Sequence, residues 1–79
     1  MGKAGKALKQ VLETYGISQN QLAVTMKTGR SNVHRWVNEI RDPAAEAVLE
    51  IRKALQKINP AAGKEFIRLY LSKFADDED

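Results

Sequence analysis

The segment from residue 30 to residue 40 divides its side chains between two opposite faces of a helix. Its apolar residues recur at i, i+3, i+4 and i+7, which is the spacing of one helical face. They are Val33, Trp36, Val37 and Ile40. The opposite face carries hydrogen-bonding side chains and no acid; its residues are Arg30, Ser31, His34, Arg35 and Asn38. The pattern predicts a helix over about 30–38 with one face in a core.

The polar face of this helix suggests a function. Two guanidinium groups, a hydroxyl, an imidazole and a carboxamide suit the major groove of a nucleic acid, where base edges present acceptors and donors. The alternative is an ordinary solvated face, since most polar helix faces contact only water. A solvated face usually mixes Glu with Lys, and this face has no acid. The composition of the face therefore favours the groove interpretation.

The chain is short and basic, which limits its class. Its 79 residues correspond to one small domain, and folding at this size hides only about 60% of the unfolded surface. The formal net charge is +3, but residues 76–79 are all acidic, which leaves +7 on residues 1–75. Such an excess attracts polyanions, although a mildly basic charge alone is weak evidence because many soluble domains share it.

Several classes of function are disfavoured by composition. There is no Cys and a single His with no second ligand at usable spacing, so we expect no metal site and no cofactor. No pair of carboxylates lies on an apolar face, and Glu46 and Glu50 belong to a solvent face, so we expect no enzyme. No apolar run approaches about 20 residues and no signal region follows the first lysines, so we expect a cytoplasmic protein without a membrane span.

Capping signals divide the chain into five short helices and no strand. Gly16 is predicted to end the first helix in a left-handed conformation, and Ser18 to cap the second. Asp42 followed by Pro43, and Asn59 followed by Pro60, predict two further helix starts. The first helix is predicted to start between Lys3 and Ala7 and to end at Tyr15, and the other predicted ranges are about 19–27, 30–38, 43–58 and 60–74. The fourth helix is expected to bury Val48, Ile51, Leu55 and Ile58 with help from Ala45 and Leu49. The domain then covers 1–75, and 76–79 form an acidic, disordered tail.

The chain resembles the Cro/C1-type (XRE) helix-turn-helix family, the phage-repressor-like transcription regulators, over residues 8–55. The matching residues are Leu8, Leu12, Ile17, Ser18, Gln19, Leu22, Ala23, Val33, Trp36, Pro43, Leu49, Ile51 and Leu55. In this family the motif often opens with Gln, a small residue follows four positions on, and apolar residues follow fourteen and seventeen positions on. The resemblance implies an all-α, compact five-helix lambda-repressor-like bundle with the motif in helices 2 and 3.

One position departs from the family pattern. The family usually has Gly eight residues after the opening Gln, because the turn requires a positive φ, and this chain has Lys27. A non-glycine residue in that conformation costs about 1–2 kcal/mol. Gly29, two residues later, is expected to relieve the turn.

The resemblance also implies roles for individual residues. Arg30, Ser31 and Arg35 match positions that reach base edges, and Arg suits the O6 and N7 acceptors of guanine. His34 lies on the same face and is either a fourth base contact or a solvent-exposed spectator. Expected contacts to DNA phosphates are Ser18, Gln19, Lys27, Thr28, Asn38 and Arg41. The N-terminal lysines are expected to act as a loose arm.

The fifth helix has more apolar residues than one face accommodates. If Phe66, Ile67 and Tyr70 dock on the core, part of a second surface remains exposed; it comprises Leu69, Leu71 and Phe74. We interpret it as the interface of a homodimer that binds two DNA half-sites about 34 Å apart. One alternative is a terminal helix wrapped deeply against the body. Another is an antitoxin-type or protein-interaction module of the same fold, with a toxin as partner. The leading prediction is a sequence-specific, double-stranded-DNA-binding transcription regulator.

Overall fold

The computed structural model describes the backbone of residues 3–78 and the side chains of residues 4–72. Five helices follow one another in the chain: α1 (Lys3–Tyr15), α2 (Gln19–Met26), α3 (Arg30–Val37), α4 (Ala45–Ile58) and α5 (Pro60–Glu78). No strand occurs within residues 3–78. The predicted all-α, five-helix architecture is confirmed.

The connection between α1 and α2 is set by two local caps. Gly16 adopts a φ of +65°, and the next amide, of Ile17, donates to the Leu12 carbonyl at 3.0 Å. The Ser18 hydroxyl then accepts from the Gln21 amide at 2.9 Å. Both predicted caps are confirmed, and they lie within two residues of each other. The chain therefore changes direction sharply between α1 and α2.

The chain reverses between α2 and α3 at Lys27. Lys27 has φ 59° and ψ 41°, the left-handed conformation. The Thr28 amide donates to the Ala23 carbonyl at 3.0 Å, which closes a Schellman-type helix end. Gly29 is extended, with φ −73° and ψ 143°, and occupies the N-cap position of α3. The prediction that Gly29 relieves the turn was therefore wrong, because the reversal is complete before the chain reaches it.

The end of α3 is also fixed by a left-handed residue that is not glycine. Glu39 has φ 59°, and the Ile40 amide donates to the Arg35 carbonyl at 2.9 Å. The helix consequently ends at Val37, and helical periodicity no longer applies to Ile40. Ile40 is 69% exposed, so the prediction that it belongs to the buried stripe of α3 was wrong.

The start of α4 lies later than predicted. The N-cap position is Ala44, whose extended φ of −66° and ψ of 164° prevent the helix from beginning at Pro43, and no side chain caps it. Asp42 is therefore not the cap. The buried stripe of α4 consists of Val48, Ile51, Ala54 and Leu55. Ala45 and Leu49 lie outside that stripe and are exposed, against the prediction, and Ile58 is half-buried.

The last helix begins as predicted and ends later. Asn59 Oδ1 accepts from the Ala61 amide at 3.0 Å, which confirms the cap before Pro60. The backbone is helical to Glu78, beyond the predicted end at Phe74. The physical reason is that no Gly or Pro occurs after Gly63 to stop the helix.

Phe66 of α5 is the largest side chain that the bundle buries completely. Its neighbours Ile67 and Tyr70 are half-buried against the same core, as predicted. The rings of Phe66 and Tyr70 stack with centroids 6.4 Å apart. Because α5 packs on both α1 and α4, it closes the core from which α3 is displayed.

Gly5 marks the closest approach of α1 to α3. A Cβ atom at this position would lie 2.3 Å from the carbonyl oxygen of Trp36, well inside any normal contact. The backbones of the two helices therefore touch with no side chain between them. This contact holds the carboxyl half of α3 against the bundle.

Replacing Gly5 by Ala should destabilise the protein by about 1–3 kcal/mol, the usual cost of overpacking. The new methyl would meet backbone that has no rotamer to change, so α1 and α3 must separate. At an open helix position the same change would instead stabilise by about 0.5–1 kcal/mol. Urea denaturation therefore tests the sign: an unchanged or increased free energy of unfolding would contradict the close contact.

Replacing Lys27 by Gly should stabilise the protein by about 1 kcal/mol, because Gly adopts a positive φ without the Cβ penalty. Lys27→Ala is the matched control, since it removes the same charge but retains Cβ and hence the strain. The free energies of unfolding of both variants are compared by urea denaturation. Equal stability of the Gly and Ala variants would show that Lys27 is unstrained.

Candidate nucleic-acid interface

The two faces of α3 are separated as the sequence predicted, with Ile40 as the exception. Val33, Trp36 and Val37 are buried in the core, with at most 9% of each residue exposed. The opposite face is solvent-exposed and contains Arg30, Ser31, His34, Arg35 and Asn38. Among residues 4–72, no acid forms an ion pair with Arg30 or Arg35. The positive charge of this face is therefore available to an external ligand.

A cleft of about 680 Å³ lies between the first turns of α2 and α3. It is lined by Gln19, Asn20, Arg30, Ser31 and His34. The two first turns meet because α2 and α3 pack against each other, and Ala23 of α2 is only 2% exposed. The structure thus brings four predicted site residues together from two helices and adds Asn20, which the sequence analysis missed. Asn20 could have been predicted from its position beside Gln19 at the start of the same helix.

A second cleft, of about 430 Å³, surrounds the start of α2 from the other side. It joins three predicted phosphate contacts, Ser18, Gln19 and Asn38, which come from both ends of the motif. It also includes Lys9 and Glu13 of α1. Lys9 lies in α1, within the predicted first helix. Its spacing to Glu13 and Gly16, at i+4 and i+7, was the signal that this face of α1 reaches the α1–α2 turn.

Asn38 and His34 interact with each other at the end of α3. Asn38 Nδ2 donates to the His34 carbonyl at 2.8 Å and lies 3.1 Å from His34 Nδ1. The Asn38 side chain therefore caps the helix and leaves its Oδ1 open. Both side chains remain exposed, so His34 retains the two roles considered for it, a base contact or a spectator.

Other predicted phosphate contacts lie apart from these two clefts. Lys27 lines a separate cleft of about 230 Å³ beside α4, together with Glu50, Lys53 and Lys57. The hydroxyl of Thr28 is engaged within the protein, where it accepts from Asn32. Arg41 is exposed in the connection between α3 and α4. The structure therefore gathers Ser18, Gln19 and Asn38 but does not gather these three.

The predicted partner surface on α5 is described only in part. Leu71 is 56% exposed, whereas Leu69 is half-buried against the core because it lies one turn from Phe66. The side chain of Phe74 lies outside the described residues. One apolar side chain of the predicted surface is thus clearly presented to solvent.

Glu65 and Arg68 form an ion pair on α5 that shifts the pKa of both side chains. Arg68 Nε donates to Glu65 Oε1 at 2.9 Å, and Nη2 donates to Oε2 at 2.6 Å. These hydrogen bonds and the charge of Arg68 hold the pKa of Glu65 below its usual value. The same hydrogen bonds and the charge of Glu65 raise the pKa of Arg68. Arg68 is exposed and Glu65 is half-buried at the surface, so the pair adds little stability.

Comparison with known proteins identifies the family. A family model described as helix-turn-helix matches residues 8–61, which is more than half of the chain. The chain belongs to the Cro/C1-type helix-turn-helix family. No match was found among curated proteins or among solved structures. Members of this family are DNA-binding regulators and are not typically enzymes. Membership of the family therefore supports a general role for this helix-turn-helix protein as a regulator that binds double-stranded DNA.

Membrane spans and metal sites were the other two features considered for the described part of the helix-turn-helix protein. None of the helices in the described part of the chain is long and apolar enough to cross a membrane. Within that part, no group of three or more His, Cys, Asp or Glu side chains is placed to hold a metal ion.

Proposed function

We propose that this protein is a sequence-specific transcription regulator that inserts α3 into the major groove of double-stranded DNA. The observation that supports it most is the acid-free, exposed face of α3 directly opposite a buried stripe. Arg30 and Arg35 are proposed to donate to guanine O6 and N7, with Ser31 and His34 beside them. The proposed site of action is the cytoplasm.

The phosphate contacts are proposed at the second cleft. Ser18, Gln19 and Asn38 are hydrogen-bonding groups at the ends of α2 and α3, and Lys9 supplies the charge that they lack. Backbone amides at the start of α2 add donors for a phosphate oxygen. Secondary contacts to the DNA backbone are proposed for Lys27, Thr28 and Arg41, because these residues lie outside this cleft.

Replacing Arg35 by Ala should lower specific affinity by about 1–3 kcal/mol and relax the preference for one base pair. The preferred duplex is first selected from random sequences with wild-type protein at a stated salt concentration. Affinities for that duplex and for single-base variants are then measured by fluorescence anisotropy. A variant that binds the selected duplex as tightly as wild type, with the same base preference, would refute the base-reading role.

Two lysine variants serve as controls for this experiment. Lys9→Ala should weaken all duplexes alike and reduce the salt dependence of binding by about one phosphate contact, because it removes a charge without removing a base contact. Lys64→Ala removes the same charge from α5, in a cleft shared with Arg52 and Ile67, and should have a smaller effect. Equal effects of the two variants would argue against a phosphate at the Lys9 cleft.

A protein partner is proposed at α5, where the exposed Leu71 indicates a contact surface. The favoured partner is a second copy of the chain, with Leu69 and Phe74 contributing to the interface, so that a homodimer binds two half-sites about 34 Å apart. The alternative partner is a toxin-type protein, as in antitoxins of the same fold. Copurification with a small protein would support that alternative.

Replacing Leu71 by Lys should shift the protein from dimer to monomer in analytical ultracentrifugation, because a charge would be desolvated in the proposed interface. Leu49→Lys is the matched control, since Leu49 is exposed to a similar extent on α4 and lies outside α5. It should leave the dimer intact. Wild-type protein that sediments as a monomer at high micromolar concentration would contradict the homodimer.

A further inference from the structure

Asn32 lies between the polar face of α3 and the turn that precedes it, and it makes a hydrogen bond in each direction. Its Oδ1 accepts from Arg35 Nη1 at 3.3 Å, and its Nδ2 donates to Thr28 Oγ1 at 2.9 Å. Asn32 is half-buried, whereas Arg35 is exposed. The amide therefore connects an exposed guanidinium to a more enclosed part of the fold.

The chemistry of the partners fixes the orientation of the Asn32 amide. A guanidinium only donates, so the oxygen of the amide must face Arg35, and the nitrogen must then face the hydroxyl of Thr28. The reverse orientation would place two donors against each other. The two hydrogen bonds consequently support one arrangement of the side chain.

Thr28 is itself held by the turn between α2 and α3. Its amide donates to the Ala23 carbonyl at 3.0 Å, and its side chain is half-buried. A continuous series of hydrogen bonds thus runs from α2 through Thr28 and Asn32 to Arg35. Within the described residues, Arg30 on the same face has no comparable side-chain support.

We propose that Asn32 is a positioning residue that orients the Arg35 guanidinium for base recognition; this inference rests on the proposed function. An unsupported Arg side chain loses several rotamers when it binds, and that entropy is subtracted from affinity. A guanidinium already held on one side by Asn32 loses less. Because Arg has five donors, the bond to Asn32 leaves others for guanine O6 and N7. Asn32 therefore sets base preference through Arg35 rather than by contacting the base.

The test compares base discrimination in variants that interrupt the series at different points. Asn32→Ala removes both hydrogen bonds, and Thr28→Val removes the hydroxyl while leaving the sequence of α3 unchanged. Each should reduce discrimination at the base pair read by Arg35 by roughly two- to tenfold, the equivalent of one hydrogen bond. Thr25→Val is the matched control, because that hydroxyl donates to the Gln21 carbonyl within α2. It should leave discrimination unchanged.

A double-mutant cycle separates positioning from a merely structural role. In an Arg35→Ala background, Asn32→Ala should cause no further loss of discrimination at that base pair. Additive losses, or an equal weakening of all duplexes with wild-type discrimination, would overturn the positioning role. Circular dichroism and urea denaturation confirm that each variant is folded.

The same measurements distinguish failure of this inference from failure of the proposed function. If wild-type protein selects no preferred duplex, or Arg35→Ala leaves the preference intact, the base-reading function is wrong and Arg35 has no recognition role for Asn32 to support. If Arg35→Ala relaxes the preference and Asn32→Ala does not, only the positioning role is overturned.

Discussion

The close packing of α3 against the rest of the bundle is the constraint on which the interface depends. Val33 and Trp36 are buried beneath α3, and the Trp36 carbonyl touches the backbone of α1 at Gly5. With one face fixed in this way, the other face of an eight-residue helix has only one direction in which to point. Arg30 and Arg35 are exposed together because the opposite face of α3 is buried.

Two strained turns set the length and position of α3. Lys27 precedes it and Glu39 follows it, and both have a φ of 59°, a conformation that costs a non-glycine residue about 1–2 kcal/mol. Burial of the apolar stripe of α3 offsets that cost. The first of these turns also fixes Thr28, from which hydrogen bonds lead through Asn32 to Arg35. The geometry of the turn and the orientation of the proposed base-reading side chain are therefore linked.

Features that depend on near neighbours in the chain were predictable from the amino-acid sequence. The caps at Gly16, Ser18 and Asn59 form hydrogen bonds with residues no more than five positions away, so their residue types predict them. The alternation of apolar and polar residues in α3 likewise predicted which side of the helix is buried. Five helices, their order and most of the polar face followed from these local signals and from the family resemblance.

The packing of the helices determines which distant residues meet and where local patterns fail. Lys9 joins the proposed phosphate contacts because the fold brings its face of α1 together with the start of α2 and the end of α3. Ile40 fits the apolar stripe by spacing, yet the left-handed Glu39 turns it into solvent. Leu49 is exposed because the buried side of α4 is chosen by its neighbours rather than by its own hydrophobicity. The spacing of residues along a helix specifies which of them share a face. The angles at which helices pack determine what that face contacts. Those angles depend on side-chain volumes throughout the core.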